Sequence, residues 1–66
     1  MDTSGFYKLD GEVLLFGPNF VESKTYRLTR ETKDAHEYPV DGWRWMESLE
    51  EARAFYGIQD PPEEGQ

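Results

Sequence analysis

The sequence predicts an α+β fold: a small antiparallel β-meander of three to five strands with one C-terminal helix packed on one face. Three observations lead there. Asp-Gly pairs stand between apolar segments at Asp10-Gly11 and again at Asp41-Gly42. Residues 24–30 alternate apolar and polar side chains. Ser48-Leu49-Glu50-Glu51 then opens a stretch whose apolar residues recur at helical spacing. The single domain is expected over residues 1–58. Residues 59–66 (QDPPEEGQ) contain no apolar side chain and read as a disordered acidic tail.

The first hairpin joins Phe6-Tyr7-Lys8-Leu9 to Glu12-Val13-Leu14-Leu15-Phe16. A two-residue type I′ turn at Asp10-Gly11 requires positive φ at both positions, which Asp and Gly tolerate. That turn predicts Leu9 opposite Glu12, Lys8 opposite Val13, Tyr7 opposite Leu14 and Phe6 opposite Leu15. Tyr7, Leu9, Leu14 and Phe16 then share the core face. Phe6, Val13 and Leu15 lie on the reverse face, which is unusually apolar for a wet surface and becomes a candidate sticky surface.

Gly17-Pro18-Asn19 breaks the strand. Phe20 and Val21 follow as a short apolar pair. Lys24–Arg30 reads as a strand with Tyr26 and Leu28 inward and one wet face. Glu31–Ala35 reads as a polar loop. The second Asp-Gly hairpin would set Val40 opposite Trp43 and Tyr38 opposite Trp45. Pro39 donates no ladder hydrogen bond, so this arm is an edge or irregular, or a proline turn ahead of a single strand at 43–46. The isomer of Tyr38-Pro39 is left open by the sequence.

The helix is expected over 49–56. Ser48 and Glu51 form a capping box, and Glu50 and Glu51 suit the positive end of the helix dipole. Leu49, Ala52, Phe55 and Tyr56 make the apolar stripe, while Gly57 and Ile58 close a Schellman motif. Two turns of helix are not stable alone and must dock. The predicted core is Tyr7, Leu9, Leu14, Phe16, Tyr26, Leu28, Trp45, Leu49, Ala52 and Phe55.

Tyr38–Gly57 reads YPVDGWRWMESLEEARAFYG, and Gly17–Val21 reads GPNFV. These stretches resemble a pattern in small uncharacterised bacterial and phage proteins, in which a YPVDGW-type aromatic segment runs into a short S-x-E-E-A helix. The resemblance implies a compact single-domain protein and no particular activity.

Composition restricts function. With 66 residues the chain holds one domain, and a multidomain enzyme is excluded. A chain this short buries only roughly 60% of its unfolded surface, so aromatics, a partner or a second copy must supply stability. Aromatic residues at 15% argue against a wholly disordered chain. Fourteen acids against 7 bases give a net charge of -7, the wrong sign for a direct duplex-DNA binder. The charge is uneven: residues 1–33 balance five acids with five bases, whereas residues 34–66 hold nine acids and two bases. The absence of cysteine excludes disulfides, thiolate catalysis and Cys-ligated zinc. The N-terminus has no signal-peptide pattern, and the longest apolar run, Val13–Phe16, is far too short to span a bilayer. A cytoplasmic location without a membrane is the expectation.

Chemistry-bearing constellations are sparse. His36, the only histidine, lies near Asp34 and Glu37. Glu37 would point away from the other two on a strand, so a surface histidine is the reading, with no metal and no cofactor. Glu50/Glu51, Glu63/Glu64 and Asp41 near Glu47 are adjacent carboxylates better explained by capping and solvation than by paired acid–base catalysis across a cleft. No catalytic residues are assigned and no enzyme is expected. Lys24, Arg27 and Arg30 are the one basic cluster and read as edge-strand charges that discourage aggregation. Trp43 and Trp45 share a strand face, and at least one belongs to the core. Trp43 beside Arg44 is the alternative, an aromatic anchor of the kind enriched at interfaces.

The expectation is therefore a non-enzymatic protein-binding module. Its candidate contact residues are Phe6, Val13, Leu15, Asp41, Trp43, Arg44, Glu47, Glu50 and Glu51. A sharper version is a phage-type inhibitor or nucleic-acid mimic on a basic nucleic-acid-binding protein, with Asp34, Glu37, Asp41, Glu47, Glu50 and Glu51 standing in for phosphates. The alternative is a structural or accessory subunit, or a homodimer through the Phe6/Val13/Leu15 face.

Overall fold

A computed structural model describes residues 2–58, so the expectation for the 59–66 tail lies outside the described residues. The fold is the predicted α+β meander. Strands β1 (Gly5–Asp10), β2 (Val13–Gly17), β3 (Phe20–Glu22), β4 (Arg27–Thr29) and β5 (Arg44–Met46) precede helix α1 (Leu49–Tyr56), and a 3-10 helix spans Arg30–Ala35. The strands form two antiparallel sheets, one ordered β2-β1-β5 and one pairing β3 with β4.

The first hairpin differs in register from the expectation. Leu9 pairs with Leu14 and Tyr7 with Phe16, while Asp10 stays in the strand opposite Val13. The turn is Gly11-Glu12, with Gly11 alone at positive φ (64°), as a type II′ turn requires. The physical reason is cross-strand pairing. The expected register sets Leu9 against Glu12; the observed one sets Leu9 against Leu14 and stacks the Tyr7 and Phe16 rings at 4.7 Å. The slip is two residues along β2, so each side chain keeps its face.

Both faces of the central sheet are covered near β1. Phe6, Val21, Leu28 and Val40 form one core, with Tyr38, Trp43 and Trp45 packed around it. Val21 opposes Leu28 in the β3–β4 pair, so this small sheet lays an apolar side on Phe6. The Phe6 ring meets Trp45 edge-on at 5.0 Å. Phe6 is 0% exposed, which corrects its assignment to a sticky surface: at Phe6 the reverse face is covered by the second sheet and by residues 38–45, while Val13 on the same face stays exposed. On the other face Tyr7, Met46 and Ala52 form a second core with Leu14, Leu49 and Tyr56. Leu9, Phe16, Tyr26 and Phe55, expected inside, are exposed. The helix is too short to reach the outer end of the hairpin. Tyr26 closes a turn rather than extending β4: Ser23 Oγ accepts from the Tyr26 N–H at 2.8 Å and from the Thr25 N–H at 3.2 Å.

The second Asp-Gly turn forms as expected. Asp41 (φ 51°) and Gly42 (φ 91°) are both left-handed, and Val40 and Trp43 exchange backbone bonds of 3.0 and 2.9 Å. Pairing stops there. Tyr38 does not face Trp45 in a ladder, and the Tyr38-Pro39 peptide is cis. The helix has the expected bounds. Ser48 Oγ accepts from the Glu51 N–H at 3.1 Å, and Ile58 N–H reaches the Arg53 carbonyl at 2.9 Å. The Glu51 carboxylate does not return to Ser48; it accepts from the Glu47 N–H at 2.8 Å. Leu49 N–H, an orphan donor at the helix start, finds Thr3 Oγ1 at 2.8 Å. Residues 31–35 are a helical turn rather than a loop, because Thr29 and Thr32 cap each other reciprocally.

Candidate protein-binding surface

Strand order leaves β2 at one border of the central sheet, where no strand among the described residues pairs with its outer side. Its sequence, Val-Leu-Leu-Phe-Gly, carries no charge and no proline. Charges, prolines or short length normally blunt such an edge. The opposite border, β5, is three residues long and contains Arg44. Val13 is 59% exposed, Phe16 43% and Leu9, on the adjoining strand, 36%. The outer hairpin is therefore apolar in its side chains and open in its backbone.

The turn decides which backbone groups are open. A two-residue turn makes Asp10–Val13 a pair that exchanges both hydrogen bonds, and such pairs alternate along an antiparallel ladder. Val13, Leu15 and Gly17 therefore turn N–H and C=O inward to β1. Leu14 and Phe16 turn theirs outward.

The other residues expected to contact a partner are scattered. Leu15 is half-buried on the face opposite Phe16. Trp43 is half-buried against the Phe6 core, with Lys8 Nζ 5.8 Å from its ring centroid. Arg44 lies on the helix side, its guanidinium 4.7 Å from the Phe55 ring. Asp41 accepts the Lys24 N–H at 2.7 Å; that bond, with the Ser23 hydroxyl, holds its carboxyl below the usual range. Glu47 accepts from Trp45 Nε1 at 2.9 Å. Glu50 is exposed in the first helical turn, and Glu51 closes back on Glu47. Asp34 pairs with Lys33 at 3.3 Å. The six carboxylates considered for mimicry thus divide among the 3-10 helix and its exit, the Asp41 turn and the helix N-terminus.

Sequence reasoning missed the exposure of Leu9 and Phe16. One signal was available: an apolar hairpin with two apolar faces followed by a helix of only two turns. It also missed the setting of Trp45, whose ring has the Arg30 guanidinium at 4.9 Å and the Lys33 ammonium at 5.1 Å. Of the basic cluster, Arg27 covers the Phe20 ring at 4.5 Å. Arg30 donates to the Pro18 carbonyl at 2.8 Å and to Ser4 Oγ at 2.8 Å.

A groove of about 400 Å³ is lined by Tyr26, Ala35, His36, Glu37 and Val40. The His36 ring sits 5.1 Å from Tyr26. Among the described residues no group of three His, Cys, Asp or Glu side chains is placed to hold a metal ion. No helix among them is long and apolar enough to cross a membrane. No protein family, curated protein or solved structure matches this chain.

Proposed function

We propose that this chain is a non-enzymatic protein-binding module that works through the outer edge of β2. The observation that supports this is the uncharged border strand whose own Val13 and Phe16, with Leu9 on the adjoining strand, are exposed. Strand addition to such an edge draws affinity from backbone hydrogen bonds and specificity from alternate side chains. The net charge of -7 would favour encounter with a basic partner and exclude acidic ones. A cytoplasmic setting belongs to the same proposal. The nucleic-acid-mimic version has less support, because Asp41, Glu47 and Glu51 already accept internal hydrogen bonds and lie on different segments.

The test is capture by the immobilised full chain from lysate of its source cell, with a Val13→Glu/Phe16→Glu double variant in parallel. Both positions are exposed, and because Phe16 also stacks on Tyr7, circular dichroism checks that the variant is folded, with Val13→Glu alone as the second variant. The expected result is a protein retained by the wild-type chain through a high-salt wash and lost from the variant. Equal retention by both chains overturns the edge reading. Release by salt alone from both chains would favour the acidic surface instead.

A further inference from the structure

We propose that Asp10-Gly11 is a modification site, at which Asp10 converts to isoaspartate through a succinimide, and that the fold withholds the same chemistry from Asp41-Gly42.

The step needs no co-reactant but water. The Gly11 nitrogen gives up its proton and attacks Asp10 Cγ. A carboxyl oxygen leaves as water, and a five-membered imide forms. Water then opens the ring. Cleavage between the nitrogen and Cγ restores aspartate. Cleavage between the nitrogen and the Asp10 carbonyl carbon leaves the chain running through Cγ, so that Cβ enters the backbone and the α-carboxylate becomes the side group. One water leaves and one returns, and nothing is oxidised or reduced. Glycine in the second position favours closure because it has no β-carbon to crowd the ring.

The two Asp-Gly pairs share several features. All four residues are exposed. The turn bonds run between Asp10 and Val13 and between Val40 and Trp43, so both glycine N–H groups lie outside them. The surroundings of the two pairs differ.

The first difference is at the carboxylate. Asp10 makes no hydrogen bond or ion pair with any described residue. Asp41 accepts the Lys24 N–H at 2.7 Å from a separate turn. Attack expels water from the protonated carboxyl, whereas a donor on the carboxylate favours the ionised form. The Asp41 carboxyl is held below its usual value by the Lys24 N–H first and the Ser23 hydroxyl second.

The second difference is space at the glycine. At Gly11 nothing beyond its chain neighbours stands within 4 Å of the place a β-carbon would take. At Gly42 the Lys8 side chain lies against that place, with Cε at 3.2 Å and Cδ and Cγ at 3.4 Å. Lys8 Nζ continues to the Trp43 ring, 5.8 Å from its centroid. Asp41-Gly42 is thus tied at its carboxylate and covered at its glycine, while Asp10-Gly11 is open at both. The carbon added to the backbone at Asp10 falls inside the Asp10–Val13 pair that closes the hairpin, so the match between the two strands is lost at that end.

The experiment ages the full chain at neutral pH and physiological temperature, folded and in concentrated urea. Trypsin places the two pairs in separate peptides, 9–24 and 34–44. Electron-transfer fragmentation then distinguishes isoaspartate from aspartate of the same mass. In the folded chain isoaspartate should accumulate in peptide 9–24 about tenfold faster than in 34–44, the factor set by breaking one hydrogen bond to a charged group before attack. In urea the two rates should converge. Equal rates in the folded chain, or a faster rate in 34–44, overturn the proposal. So does a folded chain that forms no isoaspartate at Asp10 while the chain in urea does. A gap that persists undiminished in urea also overturns it, because the neighbouring sequence rather than the fold would then set the preference.

Discussion

Asp41 shows how one side chain ties two turns together. Its backbone takes the left-handed conformation that the Asp41-Gly42 turn needs, and its carboxylate accepts the Lys24 N–H of the neighbouring turn at 2.7 Å. The Lys24 bond is the largest reason its carboxyl is held below the usual value of 3.8, and the Ser23 hydroxyl adds to it. A carboxyl depressed by folding adds stability above its unfolded pKa, and that stability disappears as pH falls through the folded value. Asp41→Asn keeps the turn conformation but removes the charge. The expected result is a lower melting temperature than wild type at pH 7, with the gap closing as pH falls below about 4. A gap that persists unchanged at pH 2 would place the effect in the turn rather than in the ionised carboxylate. Phe6 is the complementary buried case. It is fully enclosed by both sheets, so Phe6→Ala should cost about 3–5 kcal/mol. Total stability for a chain of this length is about 3–10 kcal/mol at the usual value per residue, so chemical denaturation should find Phe6→Ala close to unfolding at 25 °C.

At the scale of elements, legibility followed locality. Helix α1 was readable to the residue because Ser48, the apolar stripe and Gly57 are all within ten positions of one another. The Asp41-Gly42 turn was readable for the same reason. The first hairpin was not, since Asp-Gly-Glu accommodates two turn placements. The choice rests on Leu9–Leu14 and Tyr7–Phe16 contacts that no local rule weighs. The burial of Phe6 and the exposure of Leu9 were hidden too. They depend on where β3, β4 and residues 38–43 return in space, which the strand pattern leaves undetermined. The edge residues Val13 and Leu15 were found, but as part of a face rather than as a border strand. The helix also shows a non-local dependence: its first N–H is capped by Thr3, not by its own sequence. Ser48→Ala removes the acceptor of the Glu51 N–H and should cost about 1 kcal/mol. That corresponds to a fall in melting temperature of about 4–8 °C for a domain this size. Thr3→Ala should lower it as well, by leaving the Leu49 N–H without its acceptor. A melting temperature unchanged by Thr3→Ala would mean water serves that donor equally well.

At the scale of the molecule, β1 is the shared wall of two cores. Phe6 belongs to the core beneath the β3–β4 sheet, and Tyr7, the next residue, belongs to the core beneath α1. The alternation of strand side chains therefore couples the two halves through one backbone segment. Neither core has enough buried residues to persist alone: one centres on Phe6, Val21, Leu28 and Val40, the other on Tyr7, Met46 and Ala52. Loss of β1 pairing would open both together, which predicts one cooperative transition rather than separate melting of the helix. The two cores carry distinct reporters. Trp43 and Trp45 line the first, so indole fluorescence reads it; α1 covers the second, so helical circular dichroism reads that. The two signals should trace the same urea transition with one midpoint. A helix signal lost at lower urea than the fluorescence would mean that α1 undocks while the Phe6 core survives. In that event Tyr7 and Leu14 would be uncovered beside the β2 edge, and the apolar surface available to a partner would be larger than the folded chain presents.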